Sequence, residues 1–307
     1  MPDGIQTRRR TTRELGAVSP DTIEPKKAKT LIFGPPGVGK TYEAIRFPGV
    51  YYFDHEGGAD QDEYRVRLKN SGAGYFGPDQ GSLDFETVIE EVQTLATIEH
   101  RYNTMVFDSM TKLFNAAITE EQERLGDKDA FGASKKGPIR QVTRLLRWVN
   151  RADMNAVFIC HQKDEWGKDD KGNREVVGQT FDCWEKLAYE LHLVLRISQI
   201  GTGKDAKRFM HVGKSRLANF PSAARFDWSY EEFAERYGRT AIEKAAKPII
   251  LAGDEQVAEV RRLLEIVKVS EDWSEKCFKK ANVDDWSEME ADTIGKAIEF
   301  LKSKLTA

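Results

Sequence analysis

Short runs of consecutive apolar residues alternate, along the first two thirds of the chain, with stretches in which apolar side chains recur every three or four positions. Thr30-Leu31-Ile32-Phe33, Val50-Tyr51-Tyr52-Phe53, Asn103-Thr104-Met105-Val106-Phe107 and Ala156-Val157-Phe158-Ile159-Cys160 have the length and composition of strands buried on both faces. Between two of them, Phe85, Val88, Ile89, Val92, Leu95 and Ala96 fall on one face of a helix over 85–98. That order is an α/β crossover, and it predicts an α/β fold with a central, mostly parallel β-sheet.

Residues 110–123 continue as a helix, followed by a polar, glycine-containing stretch at 126–137 that reads as a mobile loop able to order on a partner. The next helix is expected after Pro138. It turns Ile139, Val142, Leu145, Leu146 and Val149 to the core and Arg140, Arg144, Arg147 and Arg151 to another face. Three readings of this basic stripe stay open: a solvated or salt-bridged face, a subunit interface, or a nucleic-acid surface. Residues 166–179 are again polar and punctuated by Gly167, Gly172 and Gly178, as in a functional loop. Beyond them, 191–197 and 208–212 read as strands about the turn Gly201-Thr202-Gly203-Lys204, so antiparallel strands are expected at the sheet edge.

The boundaries expected from these patterns are a basic arm at 1–24 (Arg8-Arg9-Arg10, Arg13), a core at 25–237, a linker at 238–253 with Gly238, Pro248 and Gly253, and a small helical C-terminal domain at 254–307. In the last segment Val257, Val260, Leu263, Leu264 and Val267 form a helical stripe, with further helices at 273–281 and 288–305. Asp284, Asp285, Glu288, Glu290 and Asp292 make it acidic, which suits protein packing better than a DNA backbone.

Chemistry concentrates where the predicted strands end. The first runs into Gly34-Pro35-Pro36-Gly37-Val38-Gly39-Lys40-Thr41, the pattern of a phosphate-binding loop between strand and helix. Its glycines let backbone N–H groups converge on an anion, Lys40 supplies a charge near the β and γ phosphates of ATP, and the Thr41 hydroxyl can ligate Mg²⁺. The second strand ends at Asp54-His55-Glu56 and the third at Asp108-Ser109. Asp108 is the metal-side candidate, acting through coordinated water, and Glu56 the candidate general base. The fourth ends at His161-Gln162; a neutral amide can register the γ phosphate without burying a charge, so Gln162 is the candidate sensor, and His161 is expected to fill space or cap the strand. Lys214 and Arg216, beside the edge strands, are candidate cations for a neighbouring subunit's phosphate.

The composition narrows the partners little. The 307 residues carry 47 basic and 50 acidic side chains, a net charge of -3, so any nucleic-acid surface must be local. No run is apolar enough for a membrane span or signal peptide, so no membrane association is expected. Cys160, Cys183 and Cys277 are widely spaced, suiting a reducing compartment, and form no zinc pattern.

Taken together, the phosphate loop, Phe53-Asp54-His55-Glu56, Val106-Phe107-Asp108-Ser109, Phe158-Ile159-Cys160-His161-Gln162 and Val212-Gly213-Lys214-Ser215-Arg216 resemble the RecA-like phage ATPases, in particular the Sak4-type proteins of recombination and single-strand annealing. The resemblance spans about residues 28–220. It implies a RecA-like P-loop core, ATP and Mg²⁺ as cofactors, Glu56 as the water-activating glutamate, Asp108 as the Walker B acid and Gln162 as the residue coupling nucleotide state to a DNA-binding loop. It also implies DNA-facing loops near 126–137 and 164–180, and Lys214 and Arg216 acting in trans. The expected function is DNA-stimulated ATP hydrolysis on single-stranded DNA, in a ring or filament, with a single-strand DNA-binding protein as a further partner and the host cytoplasm as the location. The short C-terminal segment departs from the larger tail of bacterial RecA. Two other readings share the nucleotide site: an ATP-driven helicase, loader or packaging motor, and a nucleotide-controlled binding adaptor.

Overall fold

The structure, a computed structural model, describes Ser19 and residues 26–58, 62–130 and 132–305. The basic arm expected at 1–24 therefore lies, Ser19 aside, outside the described residues. The elements run β1 (Lys29–Gly34), α1 (Lys40–Ala44), β2 (Val50–Asp54), α2 (Asp62–Ser71), β3 (Gly74–Phe76), α3 (Phe85–Thr97), β4 (Thr104–Asp108), α4 (Met110–Leu125), α5 (Lys136–Arg151), β5 (Asn155–Lys168), β6 (Arg174–Phe181), α6 (Leu187–Glu190), β7 (Leu193–Ile200), β8 (Lys207–Ser215) and β9 (Arg225–Asp227). They are followed by α7 (Tyr230–Tyr237), α8 (Arg239–Glu243), α9 (Asp254–Ile266), α10 (Trp273–Ala281) and α11 (Ala291–Leu305).

The strands form one sheet in the order β3-β2-β4-β5-β1-β7-β8-β9, with β6 paired to β5. Pairs from β3 through β7 are parallel, while β7–β8, β8–β9 and β5–β6 are antiparallel. This is the expected α/β core with a central, mostly parallel sheet. Because side chains alternate across a strand, β1 sends Leu31 and Phe33 to the layer of α3, α4 and α5, and Ile32 to the layer of α1, α2 and α7. Register stacks Phe53, Phe107 and Phe158 across β2, β4 and β5, with neighbouring ring centroids 4.8 and 4.7 Å apart and planes within 6°. The same register sets Asp54 opposite Asp108, and Gly34 opposite His161, at the carboxyl ends of the strands.

Two expected loops are structured differently. Residues 164–180 are not an irregular loop: β5 runs on to Lys168 and pairs with β6, so the glycine-rich stretch is an antiparallel hairpin with a register shift between Glu165 and Trp166. Gly172, at φ +82°, makes the turn at its tip. Residues 126–137 contain short 3-10 turns at Gly126–Lys128 and Ala133–Lys135, and α5 starts at Lys136, ahead of Pro138. Proline is at home there because the first turn of a helix has no use for its missing N–H.

Residues 254–305 bring α9, α10 and α11 around a hydrophobic cluster of their own, with Val260, Leu263, Trp286, Met289 and Ile294 buried. The segment 238–253 includes α8 and then lies on the core, with Ile249 N–H donating to Ala96 O and Ala246 N–H to Asn103 Oδ1. Most of the arginine stripe of α5 is occupied within the chain. Arg144 pairs with Glu86 of α3, Arg147 with Asp284, and Arg151 stacks on Trp148 and donates to Glu288 O. Among the described residues, no helix is long and apolar enough to cross a membrane.

Candidate nucleotide site

Within the phosphate loop, two glycines hold conformations that other residues resist, Gly37 at φ +77° and Gly39 at φ +83°. Gly34 is constrained by space instead: a Cβ there would lie 2.3 Å from the carbonyl oxygen of Ile197 on β7. The loop opens onto a cleft of about 550 Å³ lined by Gly34, Pro35, Pro36, Gly37, Lys40, Thr41, Glu56, Asp108, Ile159, His161 and Gln162. Val38 is buried beneath it in the layer of α1. Residues separated by more than a hundred positions thus share one cavity.

Lys40 Nζ donates to the carbonyls of Gly34 and Pro35, each at 2.9 Å, so its ammonium is folded back over the loop. Burial lowers its pKa, while Asp108 and Glu56 act in the other direction. Thr41 Oγ1 donates to Asp108 Oδ2 at 2.5 Å, and Tyr52 donates to the same oxygen at 2.7 Å. Burial lifts the Asp108 carboxyl to about 6, against the pull of those two hydroxyls toward the carboxylate. Two hard oxygen donors, adjacent to each other and to the phosphate loop, fit Mg²⁺. A cation there would settle Asp108 as the carboxylate.

Glu56 stands across the cleft on a segment whose backbone is fixed by its neighbour. Asp54 Oδ1 accepts from the N–H groups of Glu56, Gly57 and Gly58 at 3.1, 2.9 and 3.3 Å, and Tyr75 donates to Asp54 Oδ2 at 3.0 Å. Glu56 Oε1 accepts from Ser109 Oγ at 2.5 Å and lies 2.6 Å from His161 Nε2. Burial opposes ionisation of Glu56, but these two contacts and the charge of Lys40 outweigh it, and its pKa falls below the ordinary value. Gln162 Oε1 accepts from Arg196 Nε at 3.3 Å at the edge of the same cavity.

Lys214 and Arg216 lie elsewhere. Ser215 pairs with Leu193, which pairs with Thr30 at the start of β1, the end of the sheet away from Gly34. Lys214 Nζ donates to Ala188 O at 2.6 Å and to Leu191 O, and Arg216 Nη2 to Tyr189 O at 2.7 Å, so both cap the carboxyl end of α6. Within one chain they do not reach the cleft.

Several contributors were not evident from the sequence. His161, expected to fill space or cap the strand, places its Nε2 beside Glu56 Oε1. Arg208 lies across Gly39, where a Cβ would sit 3.3 Å from its Cδ, and Trp228 Nε1 donates to Gly39 O at 3.1 Å. Strand ends announce Glu56 and Asp108, whereas Arg208 and Trp228 come from the antiparallel edge and carry no local signature.

Comparison with curated proteins gave no match. Among solved structures, the RadB recombinase aligns with 66% of this chain and 88% of its own at 16% identity and a TM-score of 0.42. The KaiC-like protein PH0186 from the hyperthermophilic archaea Pyrococcus horikoshii OT3 aligns with 66% and 85%, at 12% identity and a TM-score of 0.40. Residues 26–218, which hold the phosphate loop, Glu56, Asp108 and Gln162, match the model of the AAA_24 family, described as an AAA domain, and the chain belongs to that family.

Proposed function

We propose that this protein is a Mg²⁺-dependent ATPase that works as a homo-oligomer on single-stranded DNA in annealing or recombination. The observation that carries the reading is the course of β5, which lines the nucleotide cleft at His161 and Gln162 and then continues without a break into an exposed hairpin. That hairpin has the chemistry of a single-strand platform. Trp166 is 52% exposed with the Arg174 guanidinium 4.5 Å from its ring centroid, and Lys168 and Lys171 supply local cations among the acidic Asp164, Glu165, Asp169, Asp170 and Glu175, while Lys163 is paired with Asp182. Aromatic stacking with cationic phosphate contacts binds strands with little sequence preference and strong salt dependence.

Lys40 exchanges the carbonyls of Gly34 and Pro35 for phosphate oxygens, while the backbone of 34–39 encloses them. Thr41 and, through water, Asp108 would hold Mg²⁺, which when bound offsets charge on the phosphates. Glu56 orients the attacking water and accepts its proton. Gln162, bonded to Arg196 and first in line on the hairpin strand, passes the loss of the γ phosphate outward. In an oligomer Lys214 or Arg216 would leave the α6 carbonyls to meet a neighbour's phosphate.

The test is ATP turnover of purified protein with and without single-stranded DNA, beside an annealing assay with complementary strands and a size measurement in each nucleotide state. Lys40→Ala is expected to abolish nucleotide uptake. Glu56→Gln is expected to keep uptake and lose at least about 100-fold in turnover. Full turnover in both folded variants would reject the assignment, and processive unwinding without annealing would favour a motor.

A further inference from the structure

We infer that Arg208 is a nucleotide-binding residue, its guanidinium held beside the phosphate loop by the antiparallel edge of the sheet and placed to grip the α phosphate of ATP. This rests on the ATPase reading above and deepens it, since it adds a contact at the nucleoside end of a ligand otherwise held around its β and γ phosphates.

Strand order gives the loop two flanks. β1 enters it at Gly34, with β5, β4 and β2 on one side and β7 and β8 on the other. Gln162, Asp108 and Glu56 all stand on the first flank, on or just beyond the ends of those strands. On the second flank the last pair between β1 and β7 joins Phe33 to Arg196, yet β7 runs on to Ile200, and Arg208 of β8 pairs with Gln199, three positions further along. The β7–β8 pair therefore overhangs the loop. Met210 and Val212 of β8 enter the cluster that holds Ala44 of α1, and Arg208, two positions before Met210, faces the same side.

The overhang is fastened to the loop. Arg208 O accepts from Trp228 N–H at 2.9 Å, and the indole of the same Trp228 donates to Gly39 O at 3.1 Å. A Cβ on Gly39 would lie 3.3 Å from Arg208 Nε and 3.6 Å from its Cζ, so the guanidinium rests against the loop backbone. Arg208 is exposed, and among the described residues its guanidinium has no hydrogen bond or ion pair. Glu43, a carboxylate of α1 close to the loop, is engaged elsewhere: Oε2 accepts from Tyr230 N–H at 2.9 Å and lies 3.6 Å from Arg46 Nη1.

The ligand group follows from the polarity of the loop. Its backbone N–H groups cradle the α and β phosphates, and its lysine reaches β and γ. With the γ phosphate toward Glu56 and Gln162, the α phosphate falls toward the opposite flank, where Arg208 stands. A guanidinium meets phosphate oxygens with two parallel N–H donors, a fork that an ammonium lacks.

The experiment measures dissociation constants of ATP, ADP and inorganic triphosphate by calorimetry, each with Mg²⁺, for wild type, Arg208→Ala and Arg208→Lys. Turnover at saturating ATP and the melting temperature without ligand are followed beside them. Arg208→Ala is expected to bind ATP and ADP about tenfold more weakly, to the same extent because both carry the α phosphate, with a similar loss for triphosphate. Arg208→Lys is expected to fall between the two proteins. Saturating turnover should change by less than about twofold, as for a contact made equally in the ground and transition states, and melting should not change. Wild-type affinity for ATP in Arg208→Ala overturns the inference. So does a loss for ATP that ADP does not share, which would set Arg208 at the γ phosphate, or a loss for both nucleotides that triphosphate does not share, which would set it on the base. These outcomes leave the ATPase reading standing. A wild type that takes up no nucleotide overturns that reading itself, and the inference with it.

Discussion

The indole N–H of Trp228 donates to the backbone carbonyl of Gly39 at 3.1 Å, joining the edge-strand region to the phosphate loop across 189 positions of sequence. Trp228 is buried, so a lost hydrogen bond there is not replaced freely by water. Trp228→Phe keeps most of the apolar volume and removes the donor. The expected cost is about 1 kcal/mol in stability, together with a several-fold weaker nucleotide affinity as the loop loses a restraint. Calorimetric titration with ATP and Mg²⁺ checks it, and unchanged affinity would mean that this bond does not shape the loop.

Asn155, at the start of β5, is a heavily bonded polar side chain of the core. Its Oδ1 accepts from Ala28 N–H at 3.0 Å, and its Nδ2 donates to Asn103 O, Thr104 Oγ1 and Ile242 O at 3.2, 3.2 and 2.9 Å. It therefore ties together the starts of β1, β4 and β5 and the end of α8. Asn155→Leu leaves the Ala28 N–H buried without a partner, at a cost of roughly 2–4 kcal/mol. Urea unfolding should show the midpoint falling with the slope unchanged, and a loss under about 1 kcal/mol would contradict the assignment.

The glycines of the phosphate loop separate two kinds of constraint. At Gly37, φ is +77° and nothing lies within 4 Å of an added Cβ, so Gly37→Ala meets backbone strain alone, about 1 kcal/mol. At Gly34, the backbone is ordinary, but the added Cβ would lie 2.3 Å from Ile197 O, so β1 and β7 must separate. Gly34→Ala is expected to destabilise the fold by more than Gly37→Ala, whereas both reduce ATP binding. Melting temperatures of the two variants in the absence of nucleotide decide it, and the reverse order would show that the β1–β7 pairing yields easily.

What was legible in the sequence was what strand ends and periodicity encode. The runs closing at Gly34, Glu56, Asp108 and Gln162 belong to parallel strands, and parallel strands deliver their carboxyl ends to one rim, so these residues meet in one cavity. The hairpin at 164–180 was not legible. Its glycines and charges resemble a loop, and only pairing with β6 makes 163–168 a strand. Lys214 and Arg216 show the same limit. A cation's partners depend on what packs beside it, and here α6 presents its carbonyls to both. The arginines of α5 had three open readings because their partners, Glu86, Asp284 and Glu288, come from distant segments.

At the other end of the sheet, His192 provides a pH dependence whose sign follows from its surroundings. Its Nδ1 lies 3.1 Å from the Tyr237 hydroxyl, and its backbone N–H donates to Lys29 O. Burial, followed by the charges of Lys29, Arg216, Lys26 and Lys214, lowers its pKa from 6.5 to about 4. The unfolded chain takes up the proton near 6.5, while the folded protein resists it until about 4. Stability is thus fully present above pH 6.5 and is lost as pH falls through that window. Because the ring is partly exposed, the expected contribution is about 1–2 kcal/mol, below the value an unscreened shift would give. Unfolding free energies of wild type and His192→Gln, measured from pH 7.5 to 4, should converge as acid is added, with the variant losing less. Parallel curves would show that His192 titrates alike in the folded and unfolded chains.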